Sequence, residues 1–159
     1  MTKKYKSGDE MKIQTKYHGE IDISQENVIQ FNNGIPSFLD EKKFTILPFG
    51  EGTPFFILQS IETPGLAFVI VSPFDFFPDY QVKLSDQIIE SLNIENQEDV
   101  AIFSILTVQE PFDKTTANLQ GPIIINNKQK LGKQVILSDS PYQTKHPLIT
   151  KVTSTGKEG

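Results

Sequence analysis

The chain has 159 residues, a formal net charge of −5 and no cysteine, which excludes disulfides, thiolate nucleophiles and metal sites built on sulfur. All 15 basic residues are lysines. Because arginine is the usual ligand of phosphate groups and guanine, an acidic chain without arginine is a poor candidate for direct nucleic-acid binding.

Regular hydrophobic patterning occupies the centre of the chain. Residues 1–10 are polar and rich in lysine and predict a flexible arm, residues 11–149 predict a single domain, and residues 150–159 predict a disordered tail. No apolar run approaches the ~20 residues of a membrane span, and residues 1–10 lack the apolar core of a secretory signal. We therefore expect a cytoplasmic protein without membrane contact.

The first third of the domain predicts short strands. Apolar and polar residues alternate over residues 11–17 and 21–23, which is typical of half-buried strands. Residues 28–31 and 43–48 predict two more strands, and the Asn-Asn-Gly run at 32–34 separates them. Tyr17, in the first strand, is expected to be a core residue with a hydrogen-bonded hydroxyl, as is Tyr142 near the end of the domain.

Residues 55–80 are the most apolar stretch. The runs 55–60 and 67–72 flank a Pro64-Gly65 turn and predict a hairpin that is buried on both faces or central in a closed sheet. Residues 73–80 follow with four aromatics, two prolines and two acids, and proline excludes a central strand there. These aromatics either close one end of the barrel or face a partner. Alternation would place Phe74 and Phe76 on the side opposite Phe77.

One helix is predicted next, beginning after Ser85 as N-cap and ending near Asn93, with an apolar stripe along one side. Strands are predicted at 100–109, 123–126 and 132–137. The pattern of nine or ten short strands with one helix predicts a mainly β protein, a small antiparallel β-barrel-like domain with one short α-helix.

Charge is segregated along the chain. Residues 75–113 contain nine acids and one lysine, whereas residues 114–157 contain seven lysines and one acid. Two interpretations stay open: ordinary solvated faces, or a negative patch that attracts a basic partner.

No catalytic or cofactor motif is present. The two histidines, His18 and His146, lie in opposite terminal regions, and no phosphate-binding loop, dinucleotide motif or zinc-protease motif occurs. The carboxylates of Glu98 and Asp99 precede a strand and are expected to cap a turn rather than to serve in acid–base chemistry. We therefore expect no enzyme activity, no cofactor and no metal, and the residues favour a binding protein.

Four segments in a fixed order carry a family resemblance. They are residues 15–19, residues 31–38, residues 54–60 leading to 67–69 and 73–74, and residues 116–126 followed by 133–135. In this order and spacing the chain resembles the FliW family of bacterial flagellar assembly factors. Ser37 is a departure, because the family pattern has a second glycine there. If that site requires a positive φ, serine is strained in it.

The resemblance implies a barrel-like β fold without enzymatic activity and two protein partners in the cytoplasm. One is flagellin before its export. The other is CsrA, a small basic RNA-binding repressor of flagellin translation, which free FliW proteins sequester so that translation rises. A monomer is favoured. The alternative function is a β-barrel that binds a small apolar ligand in its interior or mouth, which a large cavity would favour and a filled interior would not.

The segment 73–80 is the first candidate for a partner interface, because an exposed aromatic beside acids would be a binding hot spot. Asp86 and Glu90 of the predicted helix oppose its apolar stripe and are available to a basic partner. For Asn118 the alternative is a structural role in the turn before Gly121. The complete set of candidate contact residues is Gln59, Ser60, Phe74, Asp75, Phe77, Asp79, Tyr80, Asp86, Glu90 and Asn118.

Overall fold

The computed structural model describes residues 9–149. The predicted arm and tail therefore fall outside the described residues, except for Asp9 and Glu10. In the described part the chain forms eleven strands, one α-helix and four short 3-10 turns. The strands are β1 (Glu10–Thr15), β2 (Gly19–Ser24), β3 (Ile29–Gln30), β4 (Lys43–Pro48), β5 (Phe55–Ser60), β6 (Ala67–Val71), β7 (Val100–Thr107), β8 (Thr116–Ala117), β9 (Ile123–Asn126), β10 (Leu131–Gln134) and β11 (His146–Pro147). The helix, α1, spans Asp86–Ser91. The predicted fold class, mainly β with one short helix, is confirmed.

Seven strands close into a barrel in the order β7-β6-β5-β4-β3-β10-β9, and β9 pairs back onto β7. Six of the seven pairings are antiparallel. The seventh joins β3 and β10 in parallel through the single residue pair Leu131 and Gln30, which differs from the predicted antiparallel arrangement. The reason is geometric: an odd number of strands cannot alternate in direction all the way around a closed ring.

The barrel interior is filled with apolar side chains. Its buried members are Ile29, Phe31, Ile35, Phe44, Leu58, Ile70, Ile123 and Ile125. The inward position on β10 is Gly132, because a Cβ atom there would lie 2.6 Å from the ring of Phe31. The predicted hairpin is confirmed as β5 and β6, central in the closed sheet. A filled interior gives no support to the alternative of an apolar ligand held inside the barrel.

Helix α1 packs on the outside of the barrel. Ile88 of the helix and Leu84, which precedes its N-cap, pack against a cluster in which Leu92, Ile124 and Val135 are buried. Ser85 caps the helix as predicted, and its Oγ accepts a hydrogen bond of 3.2 Å from the backbone N–H of Ile88. No helix within residues 9–149 is long and apolar enough to cross a membrane.

The β1–β2 hairpin forms a separate two-stranded sheet outside the barrel. The backbone N–H of Lys16 bonds to the side-chain carbonyl of Gln59 at 3.0 Å, which ties the hairpin to β5. Tyr17 is 43% exposed and contacts Phe49 edge to face, so the prediction that it is a core residue is wrong. The alternation was read correctly, but Tyr17 lies in the turn after β1, where alternation no longer determines burial.

The turn around residues 34–38 requires two positive φ angles. Gly34 has a φ of 65°, and a Cβ atom there would collide with the carbonyl oxygen of Leu39. Ser37 has a φ of 76°, so the site where the family pattern has glycine does require the left-handed region, as anticipated.

Candidate protein-interaction surface

Residues 73–80 form compact turns that pack against a hydrophobic cluster separate from the barrel interior. Pro73–Asp75 is a 3-10 turn, and the N–H groups of Phe76 and Phe77 both bond to the carbonyl of Pro73, at 3.1 and 2.8 Å. Because the backbone coils, the predicted alternation of the aromatics is wrong. Phe76 and Phe77 are both half-buried against a second cluster, and Phe74 is 41% exposed. Two of the three rings therefore cover the outer face of the barrel wall, where Val69 and Val71 of β6 alternate with the interior residue Ile70, rather than closing an end of the barrel. The third, Phe74, is exposed at the surface.

Tyr80 anchors this segment to the barrel. Its hydroxyl donates a hydrogen bond of 2.7 Å to the carbonyl of Leu119, and its ring lies 4.7 Å from that of Tyr142. Burial raises the pKa of Tyr80 well above the ordinary tyrosine value. The hydroxyl of Tyr142 accepts the N–H of Gln81 at 3.0 Å, so its predicted hydrogen bond is confirmed. With 4% of Tyr80 exposed, its role as a partner contact stays a prediction.

The predicted acids all lie on the surface. Asp75, Asp79, Asp86 and Glu90 are exposed, and within residues 9–149 none of them pairs with a lysine. The ion pair found in that part of the chain is Lys12 with Asp22, on the β1–β2 hairpin. Asp86 and Glu90 stand one turn apart on α1, where two like charges repel each other. Each of these four exposed carboxylates therefore carries a negative charge that no ion pair in the described part of the chain compensates.

An open groove of about 1080 Å³ lies beside Phe74. We call it the lateral groove. Its apolar lining consists of Phe74, Val82, Ile88, Ile102, Val135, Ile136, Leu137, Pro141 and Tyr142. Its polar lining includes Lys83, Ser85, Gln97 and Asp139. Ile136 is 58% exposed and Phe74 41%, so the groove presents apolar surface to solvent.

The sequence did not identify most of this lining. The sequence predicts a strand over 132–137, whereas in the structure β10 spans Leu131–Gln134. Val135 is buried, and the intervening Ile136 points away from its neighbours into solvent. One sequence feature indicates the groove: in an extended chain successive side chains face opposite ways, so Ile136 lies on the face opposite the buried Val135, where it is an apolar residue exposed to solvent. A second concavity, about 570 Å³, lies on the other side of α1 and is lined by Asp86, Ile89 and Glu90 among others.

Gln59, Ser60 and Asn118 have internal partners. Gln59 is fully buried, and its Nε2 donates to the carbonyls of Ser60, Pro64 and Leu66 at 3.0, 3.1 and 3.3 Å. Ser60, also fully buried, donates to a carboxylate oxygen of Glu41 at 2.6 Å.

The oxygen of the Asn118 side chain accepts the N–H groups of Gln120 and Gly121 at 3.1 and 2.8 Å. This is the structural role in the turn before Gly121 that was the alternative to partner binding. As partner contacts, Gln59, Ser60 and Asn118 stay predictions.

Both histidines bond to the backbone. Nε2 of His18 lies 2.9 Å from the carbonyl oxygen of Pro48, and Nε2 of His146 accepts the N–H of Gln143 at 2.8 Å. Within residues 9–149 no three histidine, aspartate or glutamate side chains are placed to hold a metal ion.

The fold and this surface define the class: small closed β-barrels with a filled interior and an acidic, partly apolar outer face. The family model described as FliW protein matches residues 12–148, and the chain belongs to the FliW family. Similar proteins carry the name flagellar assembly factor FliW.

One, from Geobacillus sp. (strain WCH70), is 56% identical over 139 residues, which cover 87% of this chain and 96% of that protein. Another, from Bacillus subtilis (strain 168), is 52% identical over 138 residues, with 87% and 96% covered. The crystal structure of a flagellar assembly factor FliW superimposes with a TM-score of 0.83 at 50% identity, covering 89% of this chain and 99% of that one. The barrel is therefore the fold of the family.

Proposed function

We propose that this protein is a non-enzymatic flagellar assembly factor of the cytoplasm that binds flagellin before export and, when free of flagellin, sequesters a CsrA-type repressor. Sequestration would relieve repression of flagellin translation. The family supports this role, because the match covers nearly the whole of each relative. The observation that carries the proposal is the set of exposed carboxylates at Asp75, Asp79, Asp86 and Glu90, which form no ion pair within residues 9–149.

The charge of this surface suits a basic RNA-binding partner. Uncompensated carboxylates at Asp75, Asp79, Asp86 and Glu90 attract lysine and arginine side chains and speed association at low salt. The same charge and the absence of arginine disfavour direct contact with RNA. The protein would then act on translation through the repressor alone.

Flagellin requires a different kind of contact. Amphipathic helices bind proteins by placing their apolar face in a groove rimmed by polar groups. The exposed side chains of Phe74 and Ile136 provide apolar surface for such a helix.

The direct test mixes the purified protein with a CsrA-type regulator, measures the complex by calorimetry and size-exclusion chromatography, and then adds flagellin. We expect a complex with the regulator that flagellin dissolves. If the protein forms no complex with either one, the proposal is wrong.

A charge-reversal variant tests the surface. Replacing Asp75, Asp79, Asp86 and Glu90 by lysine should weaken regulator binding by on the order of tenfold or more, because attraction becomes repulsion. The matched control replaces four exposed glutamates elsewhere and changes the net charge by the same amount. Those glutamates are Glu20, Glu26, Glu51 and Glu62. Equal losses in both variants would mean that only net charge matters, and circular dichroism checks that both remain folded.

A further inference from the structure

One stretch at the rim of the lateral groove has unused backbone hydrogen-bonding groups. After β10 the chain continues alongside residues 120–122, and Val135 and Leu137 donate their N–H groups to the carbonyls of Pro122 and Gln120 at 2.9 and 2.8 Å. Ile136 lies between them with the opposite orientation. Across residues 9–149 no backbone or side-chain group hydrogen-bonds to the N–H or carbonyl of Ile136. This stretch is therefore a free strand edge.

The edge at Ile136 is open because the parallel pairing between β3 and β10 is short. The one residue pair between β3 and β10 is Gln30 with Leu131, so β3 covers only the beginning of β10. Beyond it, the edge borders the lateral groove, and the side chain of Ile136 is 58% exposed. A free edge with an exposed apolar residue is a template for pairing with another strand.

The charges near this edge favour a basic occupant. Asp139 and Lys83 line the groove, and the exposed Asp75 and Asp86 directly follow the groove residues Phe74 and Ser85 in the chain. The balance is negative. The apolar lining, with Val82 and Val135, suits apolar side chains at alternate positions of an extended peptide.

We propose that a protein partner enters the lateral groove as an extended basic segment that pairs with the free edge at Ile136 and adds one strand to the β10 side of the barrel. The inference rests on the proposed function for the partner's existence, and it specifies how that partner binds. A helix satisfies its own backbone groups and would leave those of Ile136 unpaired, whereas an added strand satisfies them. The edge therefore selects an extended occupant over a helical one.

Synthetic peptides provide the first test. The probes are three acetylated peptides of equal length: alternating lysine and valine, alternating glutamate and valine, and a lysine–leucine peptide patterned as an amphipathic helix. The full chain is labelled with nitrogen-15, and amide hydrogen exchange is followed with each peptide. We expect the lysine–valine peptide to slow exchange of the Ile136 amide at least about tenfold, since that amide gains a partner. Stronger binding of the helical or the glutamate peptide would overturn the proposal.

Two substitutions at one position isolate the backbone bond. Ile136→Ala removes the side chain and keeps the N–H, whereas Ile136→Pro removes both. No internal hydrogen bond is lost in either variant, because the N–H of Ile136 has no partner within the described chain. We expect regulator binding by Ile136→Pro to be about tenfold weaker than by Ile136→Ala. Equal affinities would overturn strand addition. If the proline variant does not fold, exchange of the wild-type Ile136 amide in the regulator complex decides instead.

The two proposals fail separately. If the regulator binds but the Ile136 amide exchanges as fast as in the free protein, the docking mode is wrong and the proposed function stands. If the lysine–valine peptide protects Ile136 while neither regulator nor flagellin binds, the proposed function is wrong and the docking site stands. Protection of Ile136 by flagellin alone would assign the edge to a partner other than the basic one and would also overturn the inference.

Discussion

The hydroxyl of Tyr80 and the carbonyl of Leu119 form a hydrogen bond of 2.7 Å between a surface segment and the loop that joins β8 to β9. Residues 73–80 bear two of the exposed acids and the exposed ring of Phe74, and Tyr80 is the point at which they are fixed. The positions of Asp75 and Asp79 thus depend in part on one buried phenol, whereas Asp86 and Glu90 are held by α1.

Tyr80→Phe should lower the free energy of unfolding by about 1–2 kcal/mol, because a buried carbonyl loses its partner. Urea unfolding followed by fluorescence or circular dichroism measures this. Tyr142→Phe is the matched control. It frees the N–H of Gln81, which is exposed and can bond to water, so a smaller loss is expected. A larger loss for Tyr142→Phe would place the main anchor elsewhere.

Alkaline pH should destabilise the protein through the same residue. The raised pKa of Tyr80 means that, above the unfolded-state value of about 10, the unfolded chain releases this proton while the folded one retains it. The stabilisation is complete below pH 10 and declines as the pH rises from there towards the folded-state pKa. Urea unfolding at pH 9 and pH 11 measures the decline. In Tyr80→Phe the decline should be smaller, which separates Tyr80 from the lysines and other tyrosines.

Gln59→Leu should detach the β1–β2 hairpin and lower the free energy of unfolding by about 2–3 kcal/mol. The change removes the acceptor for the N–H of Lys16 and the donor for the carbonyls of Pro64 and Leu66. Hydrogen exchange at the Lys16 amide should become faster. Gln14→Leu, at an exposed position of β1, is the control and should change stability little. Unchanged exchange at Lys16 would mean that other contacts hold the hairpin.

Ser37→Gly should raise the free energy of unfolding by about 1 kcal/mol, because glycine adopts the positive φ of this turn without strain. Gly34→Ala, three residues earlier, should have the opposite effect and a larger one, since the added Cβ meets the backbone of Leu39. Thermal and urea unfolding of the two variants compare these effects. A stabilised Gly34→Ala would show that this turn rearranges freely.

Local patterns predicted the elements that local chemistry determines. The β5–β6 hairpin and helix α1 with its cap at Ser85 are set by residues within each segment, and both were found. The coiling of residues 73–80 and the exposure of Tyr17 depend on hydrogen bonds and neighbours that no short pattern encodes. The free edge at Ile136 is a property of strand order, because it exists where β3 stops short. The sequence therefore predicts the exposed acids of the candidate surface, but it does not predict the lateral groove.

The parallel pairing of β3 with β10, which we call the parallel seam, has a consequence for how the barrel folds and opens. It joins Gln30 and Leu131, about one hundred positions apart in the chain, through a single residue pair. Contacts across so long a loop form late, because the entropy cost of closing the loop precedes the stabilising contacts that offset it. The other neighbouring strands in the sheet are joined by shorter loops and pair earlier. We expect the sheet to form first as an open, curled ribbon and to close at Gln30 and Leu131 last. In the folded protein the barrel should open most readily between β3 and β10, and the six antiparallel strand pairs would stay intact.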